Sequence, residues 1–246
     1  MKVTVIGAGN MGGALTKGWI RAGMANALTV TAHTQTTLDR LKGLCPGLSV
    51  SLSNREAAAD ADIIVLAVKP WIIDDVIEEI GNNARGKIIV SVAANARNEA
   101  ISVYAMPNIA AEFGESMTFI EDNGNNEALE TVLNLFRLVG ETKVVNRKQM
   151  EAGMMMSGCG IAYVMRYLRA ITEGGVEMGF RPDDSMQIAM QTMQGAITLL
   201  EETKLHPEAV IDRVTTPGGV TIKGLNELDH AGFNSAVIRG LKAGLK

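Results

Sequence analysis

Three glycines near the amino terminus carry the clearest chemical signal in the sequence. Gly7-Ala8-Gly9-Asn10-Met11-Gly12 follows a short β-branched run, residues 2–6, and opens an amphipathic stretch from Asn10 to Ala22. Strand, tight turn and helix in that order are the setting in which G-x-G-x-x-G spacing binds a dinucleotide. Each glycine then has its own task. Gly7 makes the turn, Gly9 lets the backbone approach a pyrophosphate, and Gly12 lets the helix pack closely on the strand. The free N–H groups and positive dipole end of that helix attract the phosphates.

The end of the second strand decides between the two nicotinamide cofactors, because an acidic residue there accepts hydrogen bonds from the adenosine ribose. In this chain the segment reads Val30-Thr31-Ala32-His33-Thr34-Gln35-Thr36-Thr37, and the next acid, Asp39, lies inside the following helix. No carboxylate opposes a 2′-phosphate, and Thr31, His33 and Thr34 are available as donors. The expectation is NADPH, with NADH as the alternative; a solvated loop histidine is the competing reading of His33.

Hydrophobic periodicity supplies the elements that must hold these groups. Strands are expected at residues 2–6, 28–32, 62–68 and 87–93, with helices over 10–22, 36–44 and 71–80 between them. Continuous apolar strands suit a sheet covered by helices on both faces. Residues 1–146 therefore read as a doubly wound α/β, Rossmann-type dinucleotide-binding domain. Pro70 would end the third of these strands at its carboxyl edge, where the ligand crevice of an open α/β sheet lies. Ala67-Val68-Lys69-Pro70, Ala93-Ala94 and Met106-Pro107-Asn108 should converge there. From Lys143-Val144-Val145 onward, β-branched runs give way to Met, Ala, Gly and Leu at helical spacing over 150–179, 183–203 and 207–214. Residues 147–246 read as an all-helical domain. Its segment Gly153–Ala162, small and apolar, is a core helix or a subunit interface.

Composition excludes several classes. With 246 residues, 47% hydrophobic and 20% charged, the chain is long enough for one or two ordinary globular domains. Its net charge of −4 argues against a basic nucleic-acid surface. Two cysteines, Cys45 and Cys159, cannot build a disulfide framework and suit a reducing compartment. The amino terminus has no signal-peptide pattern and no run reaches membrane-spanning length. A cytoplasmic protein with no membrane or nucleic-acid partner and no metal site is expected. Side chains for acid–base work are also scarce: Tyr163 is followed by Tyr167 rather than by lysine, and His206 and His230 read as structural.

Taken together and in order, Gly7–Met11, Ala67–Pro70, Ala93-Ala94, Met106–Asn108, Ser157–Tyr163 and Val214–Ile222 resemble the Δ1-pyrroline-5-carboxylate reductase family along essentially the whole chain. Thr216-Pro217-Gly218-Gly219-Val220-Thr221 is the most specific of these segments. The resemblance implies NAD(P)H-dependent reduction of a cyclic imine to L-proline, the last step of proline biosynthesis. It further implies a homodimer with intertwined helical domains that assembles further, up to a decamer. It puts Gly9, Asn10, Met11, Thr31, Asn54, Ala67, Lys69, Ala93 and Asn108 at cofactor-contacting positions, beside Gly7, Gly12 and His33 from the residue reading. Thr216, Gly218, Gly219 and Thr221 fall in the substrate loop, supplied by the partner subunit, with Thr221 the candidate catalytic residue. Physically, Pro217-Gly218-Gly219 precedes a helical pattern over 221–229, so its N–H groups could cradle a carboxylate; a helix-capping turn without a ligand is the other reading.

Hydride transfer to an imine needs alignment more than a strong acid, and holding the reacting carbons about 3–3.5 Å apart supplies roughly 7–11 kcal/mol of the barrier. Two rivals stand beside this activity: a dinucleotide-binding regulatory protein without turnover, and a β-hydroxyacid-dehydrogenase-like reductase using Lys148. Three positions depart from the family pattern. Ile161 stands where proline is common and Thr216 where serine is frequent. Between Ala93-Ala94 and Met106, where the family has a full helix and strand, only residues 96–105 remain. Either the chain has lost that crossover or residues are missing from the sequence there; because a parallel crossover needs a dozen or more residues, missing residues are the expectation.

Overall fold

The computed structural model describes every residue except Asn95, Asn123, Asn125 and Lys246, and only the backbone of Leu44 and Asn126. Its strands are β1 (Val3–Ile6), β2 (Leu28–Thr31), β3 (Ser49–Ser51), β4 (Ile63–Leu66), β5 (Ile88–Ser91), β6 (Val103–Met106), β7 (Ser116–Glu121) and β8 (Gly140–Val145). They form one sheet in the order β3-β2-β1-β4-β5-β6-β7-β8. The first six are parallel and follow the 3-2-1-4-5-6 order of doubly wound dinucleotide-binding sheets. β7 then runs antiparallel to β6, and β8 parallel to β7.

Five helices belong to this sheet: α1 (Asn10–Arg21), α2 (Gln35–Leu44), α3 (Asn54–Ala59), α4 (Ile73–Ile80) and α5 (Asn126–Arg137). The period-two alternation of each strand divides the core between its faces. Val3, Val5, Ile63 and Val65 pack with Leu15 and Trp19 of α1, Leu41 of α2 and Phe136 of α5. Ile6, Ile64, Leu66 and Ile89 pack instead with Ala58 of α3 and Ile73, Val76 and Ile80 of α4. Trp19 joins α1 to α5. Its ring meets Phe136 edge-on at 5.6 Å, and its indole Nε1–H donates to the Leu135 carbonyl at 3.0 Å.

The expectation of missing residues is overturned. β5 and β6 are parallel neighbours, and residues 92–102 alone connect them, with no helix among the described residues of that segment. Just before β6 the segment is tied back to β5 at Ser102: its N–H donates to the Ile89 carbonyl at 2.8 Å, and its Oγ accepts from Ile89 N–H at 3.1 Å.

The chain divides into two compact units, Met1–Gly158 and Cys159–Lys246. α6 (Arg147–Gly153) and the π-helical turn Met154–Gly158 thus cluster with the sheet, although their composition is that of the helical half. Gly153 allows the contact, since a Cβ there would lie 2.7 Å from the Phe119 ring on β7. The second unit consists of α7 (Gly160–Glu177), α8 (Pro182–Thr203), α9 (Pro207–Arg213), α10 (Val220–His230) and α11 (Phe233–Lys242). Among its described residues, Leu168 and Ala189 are the buried hydrophobic side chains, while Met165, Ile188, Ile197 and Val237 stay exposed. A helical layer this open lacks a core of its own within one chain. Among the described residues, no helix is long and apolar enough to cross a membrane.

Candidate active site

The loop after β1 explains each fingerprint glycine separately. Gly7 sits at φ +102°, and a Cβ there would lie 2.7 Å from the Ala67 carbonyl oxygen. A Cβ on Gly12 would come within 1.9 Å of the Gly7 carbonyl oxygen, so this glycine serves the packing of α1 on the turn. Gly9 differs. It caps α1 at an ordinary φ of −72°, and a Cβ there would meet no other atom within 4 Å. Protein packing does not require a glycine at this position, and the bare backbone leaves room for a ligand to lie against it. Beside it, the first-turn N–H groups of α1 have no intrahelical acceptor. These features fit a dinucleotide's phosphates.

A groove of about 650 Å³ runs along this loop, a size ordinary for a cofactor site. Gly7, Gly9, Asn10, Met11, Thr31, His33, Asn54, Ala67 and Lys69 all line it, so most of the expected cofactor residues come together. Thr34, Thr37, Leu52, Ile72, Val76 and Val92 are also part of the wall, and no Asp or Glu is among its described lining residues. The apolar members Leu52, Ile72, Val76 and Val92 carry no motif, and only the sheet order brings them here. Lys69 forms no ion pair among the described residues; its Nζ lies 5.9 Å from the Trp71 ring centre.

Thr31 is not the donor that its hydroxyl suggests. Asn54 donates from Nδ2 to the Glu79 carboxylate at 2.7 Å, which fixes its amide so that Oδ1 accepts from the Thr31 hydroxyl at 2.6 Å. Thr31 therefore offers the groove lone pairs rather than a proton, which leaves His33 and Thr34 as the expected donors along its lining.

Three expected residues lie outside the groove. Gly12 is beneath the turn, as above. Ala93 lines a separate cavity of about 160 Å³ with Ser91, Ala96, Arg97, Tyr104, Met106 and α6 residues Arg147 and Met150. Val92 and Ala93 are consecutive, so the segment leaving β5 walls the groove with one residue and the cavity with the next. Asn108 lines neither and is buried at the carboxyl end of β6. Its Oδ1 accepts from Ala110 N–H at 3.0 Å, and its Nδ2 donates to Ser157 Oγ at 2.9 Å, which in turn donates to the Met117 carbonyl.

The substrate-loop residues belong to the second unit. Gly218 takes φ +73°, Gly219 N–H donates to the Thr216 carbonyl at 2.9 Å, and Gly219 caps α10. Thr216, Gly218 and Thr221 are exposed, and the Thr221 hydroxyl has no hydrogen bond among the described residues. His206 acts as a cap, accepting from Glu208 N–H at Nδ1, and Lys148 lines neither the groove nor the cavity.

Two family models match the chain: "NADP oxidoreductase coenzyme F420-dependent" over residues 2–95 and "Pyrroline-5-carboxylate reductase dimerisation" over residues 147–246. Pyrroline-5-carboxylate reductase 1 of Dictyostelium discoideum is 36% identical across 97% of this chain, which spans about half (48%) of that relative. Pyrroline-5-carboxylate reductase 2 of the same organism is 31% identical across 97% of this chain and 89% of its own length. The chain belongs to the pyrroline-5-carboxylate reductase family. The Plasmodium falciparum pyrroline carboxylate reductase, solved with NADP bound, superposes with a TM-score of 0.87 at 27% identity, covering 99% of this chain and 95% of that one. Pyrroline-5-carboxylate reductases are NAD(P)H-dependent oxidoreductases acting on a C=N bond, and this chain shares their Rossmann-type sheet and helical dimerisation region. A homo-oligomer acting on a small molecule accords with the exposed apolar side chains of the second unit.

Proposed function

We propose that this chain reduces pyrroline-5-carboxylate to L-proline with NADPH as the preferred reductant and NADH as the alternative. The observation that carries the proposal is the groove at Gly9, where an outward-facing glycine serves no packing need and the lining holds no carboxylate. In this reading the turn at Gly7 and the first turn of α1, Asn10 and Met11 included, hold the pyrophosphate. Thr31, His33 and Asn54 hold the adenosine ribose and its phosphate. Ala67, Lys69, Ala93 and Asn108 shape the end where the reducing ring lies. When bound, the dinucleotide supplies the hydride for the imine carbon.

Thr216, Gly218, Gly219 and Thr221 bind the substrate. The exposed N–H groups at the start of α10 offer a cradle to its carboxylate, and Thr221 adds a hydroxyl. A second copy supplies this loop, and the functional helical domain runs over 147–246. The core-poor helical unit supports a dimer that assembles further, and two free cysteines support a cytoplasmic setting. Light scattering on the purified protein tests the first, with an integer multiple of 26.2 kDa at or above two expected.

The deciding experiment is steady oxidation of NADPH on addition of pyrroline-5-carboxylate, with proline identified as product. Dinucleotide binding without turnover would instead establish a regulatory protein. The Lys148-dependent reductase reading is met by Lys148→Ala, which is expected to retain imine reduction.

A further inference from the structure

The segment that leaves β5 beside the groove has, among its described residues, no crossover helix of the kind that ordinarily anchors it. In a parallel pair the crossover helix packs on the sheet and holds the preceding loop by its apolar face. Here the ties are made at residues 97 and 98, through their side chains and the Asn98 main chain. The Arg97 guanidinium stacks on the Tyr104 ring, 4.0 Å from its centre, and its Nη2 lies 2.7 Å from Glu121 Oε2 at the end of β7. Tyr104 Oη accepts from Asn98 N–H at 2.9 Å and donates to the Asn98 carbonyl at 3.2 Å. Asn98 Nδ2 donates to Asp74 on α4 at 2.8 Å.

Arg97 is the cation of this clamp. Glu121 is 9% exposed, and its buried Oε2 has no aligned hydrogen bond, so the contact with Arg97 is a meeting of charges. Removing the arginine would strand a buried carboxylate. The clamp sits just beyond Val92 and Ala93, which wall the dinucleotide groove and the adjoining cavity. Val92 and Ala93 themselves pack into the two core clusters, and their N–H groups bond close by: Val92 N–H donates to the Leu66 carbonyl at 3.1 Å and Ala93 N–H to Ser91 Oγ at 3.3 Å.

We propose that Arg97, held by Tyr104 and Glu121, is a positioning residue for imine reduction that fixes the Val92–Ala93 wall against which the reducing end of the cofactor is aligned. The proposal rests on the assignment of this chain as a pyrroline-5-carboxylate reductase. Arg97 touches neither cofactor nor substrate in this role. Its loss therefore affects alignment at the reducing end and leaves the adenosine end, at Thr31 and Asn54, unchanged.

Arg97→Met alone combines lost alignment with a stranded charge, so the informative variant is Arg97→Met with Glu121→Gln, which removes both charges together. For this pair we expect kcat to fall about tenfold, as misalignment of reacting groups does. NADPH affinity should stay within about twofold, because the adenosine contacts dominate it. With NADPH deuterated at the transferred position, the isotope effect on kcat should rise above that of the unaltered enzyme. Arg97→Lys restores the charge without the planar stack and should recover only part of the rate. A double variant with unaltered kcat and isotope effect would overturn the proposal, as would a loss of turnover matched by an equal loss of NADPH affinity. Absence of turnover in the unaltered protein would overturn the functional assignment itself, so the two failures are distinguishable.

Discussion

The hydroxyl of Thr31 donates to Asn54 Oδ1 at 2.6 Å, and this one bond joins the end of β2 to the start of α3 across the dinucleotide groove. Glu79 completes the chain by accepting from Asn54 Nδ2 at 2.7 Å, so the order of donors is fixed from a carboxylate outside the groove inward. In the proposed binding mode the cofactor's ribose meets an acceptor at Thr31 and a groove whose described lining residues include no acid. His33→Asp would place a carboxylate at the proposed position of NADPH's extra phosphate. We expect NADPH affinity to fall about tenfold or more by charge repulsion, with NADH affinity changed less than about threefold. Fluorescence titration with both dinucleotides measures the ratio; parallel loss of both would refute the placement of the phosphate beside His33.

Gly9 and Gly12 make opposite predictions for the same change. Gly9→Ala adds a methyl to open space, so stability should hold within about 1 kcal/mol while dinucleotide affinity drops by about tenfold or more. Gly12→Ala drives a methyl into the Gly7 carbonyl and should cost about 1–3 kcal/mol of stability or more. Thermal melts with and without NADPH separate the two. Unchanged affinity in the Gly9 variant would remove the main support for the groove as a cofactor site.

Thr221 stands exposed in the first turn of α10 with its hydroxyl free of partners among the described residues. Thr221→Ala should reduce kcat/KM for the imine about tenfold, the worth of one hydrogen bond to a charged group. NADPH affinity and melting temperature should not move. Equal loss of turnover and cofactor binding would indicate a folding defect.

Trp19 supplies a purely structural control. Trp19→Phe deletes the indole donor to the Leu135 carbonyl and leaves a gap beside Phe136, at a cost of about 1–3 kcal/mol. Chemical denaturation should show the midpoint shifted, with kcat near that of the unaltered enzyme under native conditions.

The local rules of the sequence reached far into the site. Gly7, Gly9 and Gly12 announce themselves by spacing, and the helix beginning at Asn10 follows from periodicity. The groove that forms at Thr31, Asn54 and Lys69 lies where parallel strands of this order must leave a crevice. The crossover was illegible for a physical reason. A parallel connection without a helix has no periodic signature, so residues 92–102 looked like a gap in the chain. The packing of α6 on β7 was equally hidden, because Met and Gly at helical spacing say that a helix is buried without saying against what.

What the sequence alone determined is thus the cofactor turn, the strand and helix sequence that carries it, and a helical half rich in small and apolar residues. Only the tertiary structure decided that β7 runs back along β6, which brings Glu121 to Arg97, and that Thr31 spends its proton on Asn54. Side-chain patterns encode which face of an element is buried through short-range repetition. The partner of a single charge or hydroxyl depends on strand order and direction, which the whole sheet sets.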